Sequence, residues 1–245
     1  MQALIKRLRS GLRKVPGYGI ARFLYNLARS LESRNVALLL LRPPKGLYQP
    51  YGTTSADRYP EIFRFVRESV GDGAAVHILS FGCSTGEEVF SLRHYFPDAI
   101  LAGIDINPFN IAVCRFQRLR AADKKMTFAI AASTAGAANE SYDAIFAMAV
   151  FRHGDLNTSP PQPESGHRIH FADFDQSVAD LARVLKPGGL LVIQNAMFRF
   201  CDTGVANDFE AVFSAKRDEP SPFYGRDDCL LPDAEYPDVV FRKIR

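Results

Sequence analysis

Short apolar runs alternate with helical patterns through the middle of the chain. The apolar runs predict five strands, at Val76–Phe81, Ile100–Ile104, Met126–Ala131, Tyr142–Phe151 and Leu190–Asn195. Helical spacing between the runs predicts three helices, at Glu87–Tyr95, Pro108–Ala121 and Phe171–Leu185. Near-continuous apolar strands joined by helices are typical of a parallel sheet that is covered on both faces. The pattern therefore predicts an α/β fold with flanking helices.

The two flanks of the chain carry weaker patterns. Apolar residues at helical spacing predict N-terminal helices at Ala3–Leu12, Ile20–Leu41 and Arg58–Val70. Residues 155–170 are rich in Pro, Ser, His and Gly, which predicts a surface loop or lid after the fourth strand. From Asp202 onward the pattern indicates one element, a strand on the sheet edge at Val239–Ile244. We therefore divide the chain into a small helical N-terminal extension, residues 1–46, and a domain over residues 47–245.

Charge is concentrated at the N-terminus. The formal net charge of +3 is too small to indicate nucleic acid as a partner. The stretch from Met1 to Arg34 nevertheless carries many Lys and Arg residues and a single acid, Glu32. Three interpretations stay open for this basic arm: helices that cap the sheet, contact with an anionic membrane surface, or recognition of an acidic carrier or peptide.

The cysteine pattern favours reduced thiols. The chain has four cysteines, Cys83, Cys114, Cys201 and Cys229. They form no CxxC pair and no zinc-binding spacing, so we predict no metal site. No apolar run approaches the roughly 20 residues needed to cross a bilayer, and no secretory signal is recognisable. We predict a cytoplasmic protein.

A glycine turn after the first strand is the most informative segment. Gly82 and Gly86 permit a sharp turn and a close approach of backbone to a ligand, and a helix opens directly behind them. The turn is not a dinucleotide fingerprint, because Ser84 and Glu87 stand where glycines are required. An acidic Glu87 disfavours a pyrophosphate but suits a cationic ligand such as S-adenosylmethionine. The cofactor-binding residues predicted for the turn are Phe81, Gly82, Cys83, Ser84, Gly86 and Glu87.

An acid ends the second predicted strand. Asp105 follows Gly82 by the interval at which an acid hydrogen-bonds both hydroxyls of a ribose. Ile106, the next residue, is also predicted to bind the cofactor. The alternative is that Asp105 caps the helix that starts near Pro108. The two signals on successive strand ends favour a nucleoside-containing cofactor.

The order of elements over residues 54–200 resembles that of class I S-adenosylmethionine-dependent methyltransferases. Besides the turn and Asp105, the segment from Leu185 to Ile193 reads LKPGGLLVI, typical of the helix-to-strand turn before their fifth strand. We expect Pro187 to stop the helix there. The resemblance implies a Rossmann-like class I sheet and S-adenosyl-L-methionine as cofactor. It also places three further residues at the cofactor, Ser133 near the adenine and Met148 and Ala149 at the end of the fourth strand.

The turn itself, CSTGEE from Cys83 to Glu88, is similar to that of the chemotaxis-receptor methyltransferases. Thr54 and Arg58 match that family's T-x-x-x-R segment. The likeness implies that Arg58 lies near the methionyl part of the cofactor and that Glu87 binds its amino group. The Arg-Asn pair of that family's fourth strand is absent here, which places glutamate methylation by this chain in doubt.

An acceptor is expected over the ends of the fourth and fifth strands. Candidate residues there are Arg152, His153, Asn195 and Arg199. His153 is the candidate catalytic base because histidine titrates near neutrality, and the alternative is a loop histidine without a role. Other side chains that could approach are His167, His170, Tyr48, Tyr51 and Tyr59.

Three functions therefore compete. The first is methyl transfer to an oxygen or nitrogen of a small molecule, the second is methylation of a protein carboxylate, and the third is a non-catalytic S-adenosylmethionine-binding scaffold. No Asn-Pro-Pro-Tyr type motif follows the fourth strand, which argues against base methylation of nucleic acid. The failed dinucleotide fingerprint argues against a nicotinamide dehydrogenase.

Overall fold

The computed structural model describes residues 31–41, 43–50, 52, 54–217 and 221–245. Helix α1 (Leu31–Leu41) matches the end of the predicted segment Ile20–Leu41. Predicted helix Ala3–Leu12, most of the basic arm and Tyr51 lie outside the described residues. The chain divides into two compact units, Met1–Pro43 and Pro44–Arg245, and the boundary predicted at residue 46 stays a prediction. The second unit is described below.

A seven-stranded sheet forms the centre of this unit. The strands of the unit are β1 (His77–Phe81), β2 (Ile100–Asp105), β3 (Met126–Ile130), β4 (Tyr142–Met148), β5 (Leu185–Gln194), β6 (Phe209–Ser214), β7 (Phe223–Tyr224), β8 (Leu230–Leu231) and β9 (Asp238–Lys243). The sheet order is β3-β2-β1-β4-β5-β9-β6, while β7 and β8 form a separate two-stranded sheet. Strands β1 to β5 pair in parallel, and β9 runs antiparallel to both neighbours. The strand order reverses between β1 and β4, the position at which such sheets bind ligands.

Helices cover both faces of the sheet, as predicted. They are α2 (Pro60–Val70), α3 (Glu87–Tyr95), α4 (Pro108–Ala121) and α5 (Phe171–Val184). Pro60 and Pro108 each stand in the first turn of a helix, where the missing N–H costs nothing. On one face, α5 buries Phe174 and Val178 completely, and on the other, α2 and α3 bury Ile62 and Leu92. The predicted α/β, Rossmann-like class I sheet is confirmed.

The predicted helix stop at Pro187 is wrong. Helix α5 ends at Val184, and Leu185 is already extended, with φ −80° and ψ 134°. Strand pairing jumps from Tyr142 opposite Leu185 to Ala144 opposite Leu190, so residues between them form an irregularity inside β5. Lys186 holds the irregularity in place, because its Nζ donates to both carboxylate oxygens of Asp143 at 2.8 Å.

Three predicted strands are shorter in the structure than expected, and the first of them, β1, begins one residue late at His77. Strand β3 ends at Ile130, one residue early, and β4 ends at Met148 instead of Phe151. The cause at β4 is Ala149, whose left-handed backbone (φ 57°) turns the chain out of the strand. Phe151 is then fully buried, stacked on Phe81 at 5.8 Å between ring centroids.

The C-terminal region contains more structure than its pattern predicted. The strand predicted at Val239–Ile244 exists as β9, but it lies between β5 and β6, not at the sheet edge. The edge strand is β6, which was not predicted because its burial does not alternate cleanly between apolar and polar positions. The loop at residues 155–170 is tied down by Asp228, whose carboxylate lies 2.7 Å from His170 Nδ1 and accepts the Phe171 N–H at 2.6 Å.

In the part of the chain that the structure describes, no helix has both the length and the apolar character required to cross a membrane.

Candidate functional site

The glycine turn is held firmly against the second strand. The backbone N–H groups of Gly82 and Cys83 both donate to the carbonyl of Ile104, at 2.8 and 2.9 Å. Left-handed backbone recurs along the turn, with φ of 72° at Gly82, 50° at Ser84 and 99° at Gly86. From the other side, the thiol of Cys114 in α4 donates to the Ser84 carbonyl at 3.2 Å. The turn is therefore fixed before any ligand arrives.

Both glycines are required by packing within the protein as well as by backbone conformation. A Cβ at Gly82 would lie 2.6 Å from a methyl carbon of Val150, closer than real carbon atoms approach. A Cβ at Gly86 would lie 3.0 Å from the sulfur of Cys114 and 3.0 Å from the ring of Phe90. The space that the sequence assigned to a ligand is thus partly filled by neighbouring side chains.

Asp105 joins the turn to the end of β2. Its Oδ2 accepts the Ser84 N–H at 2.9 Å, and its Oδ1 accepts the Asn107 N–H at 2.8 Å and the Asn110 amide at 3.2 Å. Burial raises the pKa of the Asp105 carboxyl, and these hydrogen bonds offset part of the rise. Since a carboxylate offers about four acceptor positions, capacity for a ligand donor remains.

The helix-capping alternative for Asp105 is excluded by its neighbour. Asn107 is the residue that caps α4, and its side-chain oxygen accepts the Phe109 N–H at 2.9 Å. Asp105 lies two residues earlier and is buried, with 8% of its surface exposed. Its carboxylate accepts hydrogen bonds from the turn and from Asn107 and Asn110, but Asp105 does not occupy the capping position of α4.

Two adjacent carboxylates open α3. The Glu87 side chain accepts the Thr85 hydroxyl at 2.7 Å, so it stays close to the turn. Glu88, which the sequence analysis did not single out, turns towards β1 and accepts the Ser80 hydroxyl at 2.7 Å. Burial raises the pKa of Glu88 to about 7, and the hydrogen bond from Ser80 opposes that rise. In the sequence, Glu88 could have been noticed as the second acid of the Glu87-Glu88 pair.

The remaining predicted cofactor residues lie around the same edge of the sheet. Ile106 follows Asp105 and is half-buried, and Met148 ends β4 with 8% exposed. Ser133 is exposed in the loop after β3, with only a 3.4 Å hydrogen bond from the Ala135 N–H. Arg58 lies with its guanidinium 5.2 Å from the centre of the Tyr59 ring.

Residues 44–59 pass across this edge, which the sequence did not reveal. Gly46 lies against the carbonyl of Ala132 after β3, at 3.4 Å from its ideal Cβ position. Gly52 packs so closely on the hydroxyl of Ser84 that a Cβ there would collide with it. At Gly52 the chain therefore lies against the glycine turn, and the sequence pattern could not predict this because no regular element is involved.

The two described tyrosines of this segment pack into the protein. Tyr48 is 5% exposed, its hydroxyl lies 2.8 Å from Ser177 Oγ, and its ring meets Phe151 edge-on at 5.1 Å. Tyr59 is 4% exposed, and its hydroxyl accepts the Asn195 side-chain amide at 2.9 Å. They anchor the segment instead of forming an open aromatic lid.

Adjacent strands β4 and β5 are each followed directly by a non-glycine residue with left-handed backbone. Ala149 has φ 57° and Asn195 has φ 56°. The Ala149 N–H donates to the carbonyl of Gln194 at 2.8 Å, which locks the two ends together. Backbone in this region is costly for residues with a Cβ and is concentrated at functional sites.

His153 caps a short helical turn. Its Nδ1 accepts the Asp155 N–H at 3.2 Å, at the start of the 3₁₀ turn Gly154–Leu156. Burial lowers the pKa of His153, the charge of Asp155 opposes this shift, and Arg168 and His167 add to it. A neutral ring whose Nδ1 accepts a hydrogen bond carries its proton on Nε2, so in this state Nε2 is a donor and cannot act as a base.

The other polar residues predicted near the acceptor lie in different surroundings. Arg199 is paired with Asp202 through two hydrogen bonds, of 2.7 and 2.9 Å. Arg152 is buried, with 7% exposed. His167 has no described role. Within the described ranges, no group of three His, Cys, Asp or Glu side chains is arranged to hold a metal ion.

Comparison with known proteins decides the family. A family model described as a methyltransferase domain matches residues 72–221, more than half of the chain. The chain belongs to this methyltransferase family. The match covers β1 to β6 and includes both residues of the Ser84–Asp105 hydrogen bond. The predicted class I, S-adenosylmethionine-dependent methyltransferase assignment is therefore confirmed, and S-adenosyl-L-methionine is the methyl donor of such enzymes.

Solved structures resemble the chain only distantly. The YcgJ protein from Bacillus subtilis is 16% identical, with 55% of this chain and 50% of that chain covered and a TM-score of 0.42. Phosphoethanolamine N-methyltransferase 2 from Haemonchus contortus is 14% identical, with 80% and 38% covered and a TM-score of 0.45. Geranyl diphosphate C-methyltransferase from Streptomyces coelicolor is 14% identical, with 55% and 45% covered and a TM-score of 0.38. The chain thus spans half or less of the length of these three structures. No curated protein matches the chain in sequence.

Proposed function

We propose that the chain transfers a methyl group from S-adenosylmethionine to an oxygen or nitrogen atom of a small-molecule acceptor. The observation that carries the proposal is the 2.9 Å hydrogen bond from the Ser84 N–H to Asp105. It joins the turn to the acid at the carboxyl ends of β1 and β2, next to the reversal of strand order between β1 and β4. An acid beside a glycine turn suits a ribose and a cationic amino acid group better than a pyrophosphate.

The residues at the turn fit this cofactor. The hydroxyl oxygen of Ser84 is buried and has no hydrogen-bond partner among the described residues, so it is available to a polar ligand group. Asp105 would hold the ribose hydroxyls, and Glu87 would hold the amino group. When bound, S-adenosylmethionine would supply a methyl group that its sulfonium activates towards a lone pair of the acceptor.

The protein's own contribution is chiefly positioning. Aligning acceptor and methyl carbon supplies most of the acceleration in such a displacement, and a general base is needed only if the acceptor must lose a proton. His153 stays the hypothesis for that base. The role requires its other tautomer, because the hydrogen bond from Asp155 leaves the proton on Nε2.

A second candidate is methylation of a protein carboxylate. It is favoured by the CSTGEE turn and by Arg58, and it lacks the support of an Arg-Asn pair, since Met148 and Ala149 end β4. Contact of the basic N-terminal arm with a membrane or an acidic partner is a further proposal, and most of that arm lies outside the described residues.

Transfer of labelled methyl groups distinguishes the candidates. The purified protein is incubated with methyl-labelled S-adenosylmethionine and a cell extract separated into small molecules and proteins. Label that is found in small molecules and is not released by mild alkali supports the primary proposal. Label in protein that mild alkali releases supports the carboxylate candidate. Binding of S-adenosylmethionine without transfer to either fraction would contradict both.

A further inference from the structure

Glu88 places a carboxyl group between the start of α3 and strand β1. The residue stands in the first turn of α3, two positions after Gly86, whose left-handed backbone precedes the helix. It is half-buried, and its carboxyl end points inward, because Oε1 accepts the hydroxyl of Ser80 at 2.7 Å and Ser80 is 1% exposed. Ser80 lies two residues before Gly82 on β1, so the carboxyl adjoins the strand end that leads into the glycine turn.

This carboxyl has no positive partner in the part of the chain that the structure describes. None of the ion pairs there includes Glu88. The hydroxyl of Ser80 stabilises the ionised form, but burial outweighs it and raises the pKa of Glu88 to about 7. One neutral donor does not compensate a carboxylate that has been taken out of water. Glu88 therefore exchanges its proton near neutrality.

The titratable groups on the side of the turn add negative charge or none. The charges of Asp105 and Glu88 both raise the pKa of the Cys83 thiol, so both acids lie near the turn. Glu87 is a third acid at the same place. From α4, the thiol of Cys114 reaches the turn and donates to its backbone. The turn thus gathers three acids without a matching cation among these groups.

The elements packed against α3 do not supply that cation either. Helix α2 and strand β2 contact α3. The buried side chains of α2 are all apolar: Ile62, Phe63 and Val66. Asp57, Arg64 and Arg67 act on Tyr95, at the far end of α3. Neither these residues nor Arg58 shifts the pKa of Glu88.

An acid in these surroundings favours a cationic ligand group. A second observation points to a ligand at the same turn, since the buried hydroxyl oxygen of Ser84 has no hydrogen-bond partner among the described residues. A positive charge brought close to Glu88 stabilises its ionised form and disfavours its protonated form. A bound cation and a bound proton on Glu88 therefore compete.

We propose that Glu88 couples cofactor binding to proton release, because the ammonium group of the cofactor replaces the proton that Glu88 holds in the free protein. The proton passes to the solvent. Glu88 acts through its charge, and the direct contact with the ammonium group stays with Glu87. Affinity rises with pH while the free protein is still losing this proton, and it levels off once Glu88 is ionised. This inference rests on the proposed function, which it deepens by naming a proton-linked residue of the same site.

Calorimetric titration of the purified full chain with S-adenosylhomocysteine tests the linkage, since this ligand carries the same ammonium group. Titrations at pH 6.5 in PIPES and in Bis-Tris, whose ionisation enthalpies differ, count the protons released. We expect about half a proton per ligand, and an affinity about fivefold or more higher at pH 8 than at pH 5.5. The matched ligand is 5′-methylthioadenosine, which lacks the amino acid group and should release none.

Glu88→Gln keeps the shape of the side chain and removes its titration. We expect this variant to bind S-adenosylhomocysteine without proton release, at every pH with about the affinity that wild type has at low pH. Glu68→Gln removes an exposed acid of α2 and is the matched control, expected to behave like wild type. Ser80→Ala removes the hydroxyl donor, so the rise in affinity should move to higher pH. Melting temperatures check folding, and Ser80→Ala carries the test if Glu88→Gln does not fold.

The outcomes separate this inference from the proposed function. Binding of S-adenosylhomocysteine without proton release by wild type, or release that persists in Glu88→Gln, would overturn the linkage and leave the proposed function standing. Equal release with 5′-methylthioadenosine would overturn the role of the ammonium group. No binding of S-adenosylhomocysteine at any pH would overturn the proposed function, and this inference with it.

Discussion

Asp105 accepts the backbone N–H of Ser84 at 2.9 Å, which links the end of β2 to the glycine turn after β1. The contact joins two segments that are separated by a helix in the sequence. It fixes one carboxylate oxygen, while the other holds the start of α4 through Asn107. The same acid therefore shapes the turn and remains available to a ribose.

Replacing Asp105 with Ala is expected to weaken S-adenosylhomocysteine binding by about 1–3 kcal/mol, because ribose hydroxyls lose a charged partner. It should also lower the free energy of unfolding by a similar amount, since the Ser84 and Asn107 N–H groups lose their acceptor. Calorimetry and urea unfolding measure the two effects. Asp98→Ala, which breaks an exposed pair with Lys125, is the control and should spare binding. Unchanged affinity in Asp105→Ala would refute the placement of the ribose.

Gly82→Ala should destabilise the turn by about 1–3 kcal/mol, through its contact with Val150 and through its left-handed backbone. The steric part can be isolated. In the double variant with Val150→Ala the clash is relieved, so we expect partial recovery of stability and of S-adenosylhomocysteine affinity. Urea unfolding of the four proteins in the cycle measures the coupling. Additive effects would show that the contact with Val150 does not limit this position.

Glu88 should make stability depend on pH. Its folded-state pKa is about 7 against an ordinary value of 4.5, so the folded protein holds a proton that the unfolded chain releases. Stability is therefore full below about pH 4.5 and is lost as pH rises through 7, by up to about 3 kcal/mol at this shift. Glu88→Gln should remove this decline, and Glu68→Gln, on the exposed side of α2, should not. Parallel unfolding curves of wild type and Glu88→Gln from pH 5 to 8 would contradict the account.

His153 distinguishes capping from base catalysis. The hydrogen bond from Asp155 predicts a capping role, so His153→Ala should lose about 1 kcal/mol of stability. His153→Asn presents an oxygen acceptor in the same place and should keep stability. Its turnover separates the two roles, because capping alone leaves turnover unchanged and base catalysis does not. Methyl-transfer rates, once an acceptor is in hand, decide the matter. A loss of turnover in both variants with stability intact in the asparagine variant would establish the base.

The sequence predicted the parts of the fold whose burial is two-sided. Strands β1, β2, β4 and β5 lie inside the sheet and are flanked by helices, so their residues form near-continuous apolar runs. Asp105 and the glycine turn were recognisable because each must stand at a strand end. The prediction that the helix ends at Pro187 is wrong because the backbone is already extended at Leu185. The residues between Leu185 and Leu190 form the irregularity in β5, which Lys186 stabilises.

Other parts depend on contacts that leave no local pattern. Strand β6 is stabilised by its pairing with β9, and residues 44–50 are held by single contacts such as that of Tyr48 with Ser177. The inward orientation of Glu88 leaves no local pattern either, because an acid in the first turn of a helix is usually solvated. Only the tertiary structure places its carboxyl against Ser80 on β1.

The central claim is tested most directly by titrating the purified chain with S-adenosylmethionine and S-adenosylhomocysteine in a calorimeter, with NAD as the control. The account predicts micromolar binding of both adenosyl ligands and no binding of NAD, because Glu87 and Asp105 favour a cation and a ribose over a pyrophosphate. Absence of adenosyl-ligand binding, or binding of NAD in its place, would contradict the assignment of this turn as the methyl-donor site.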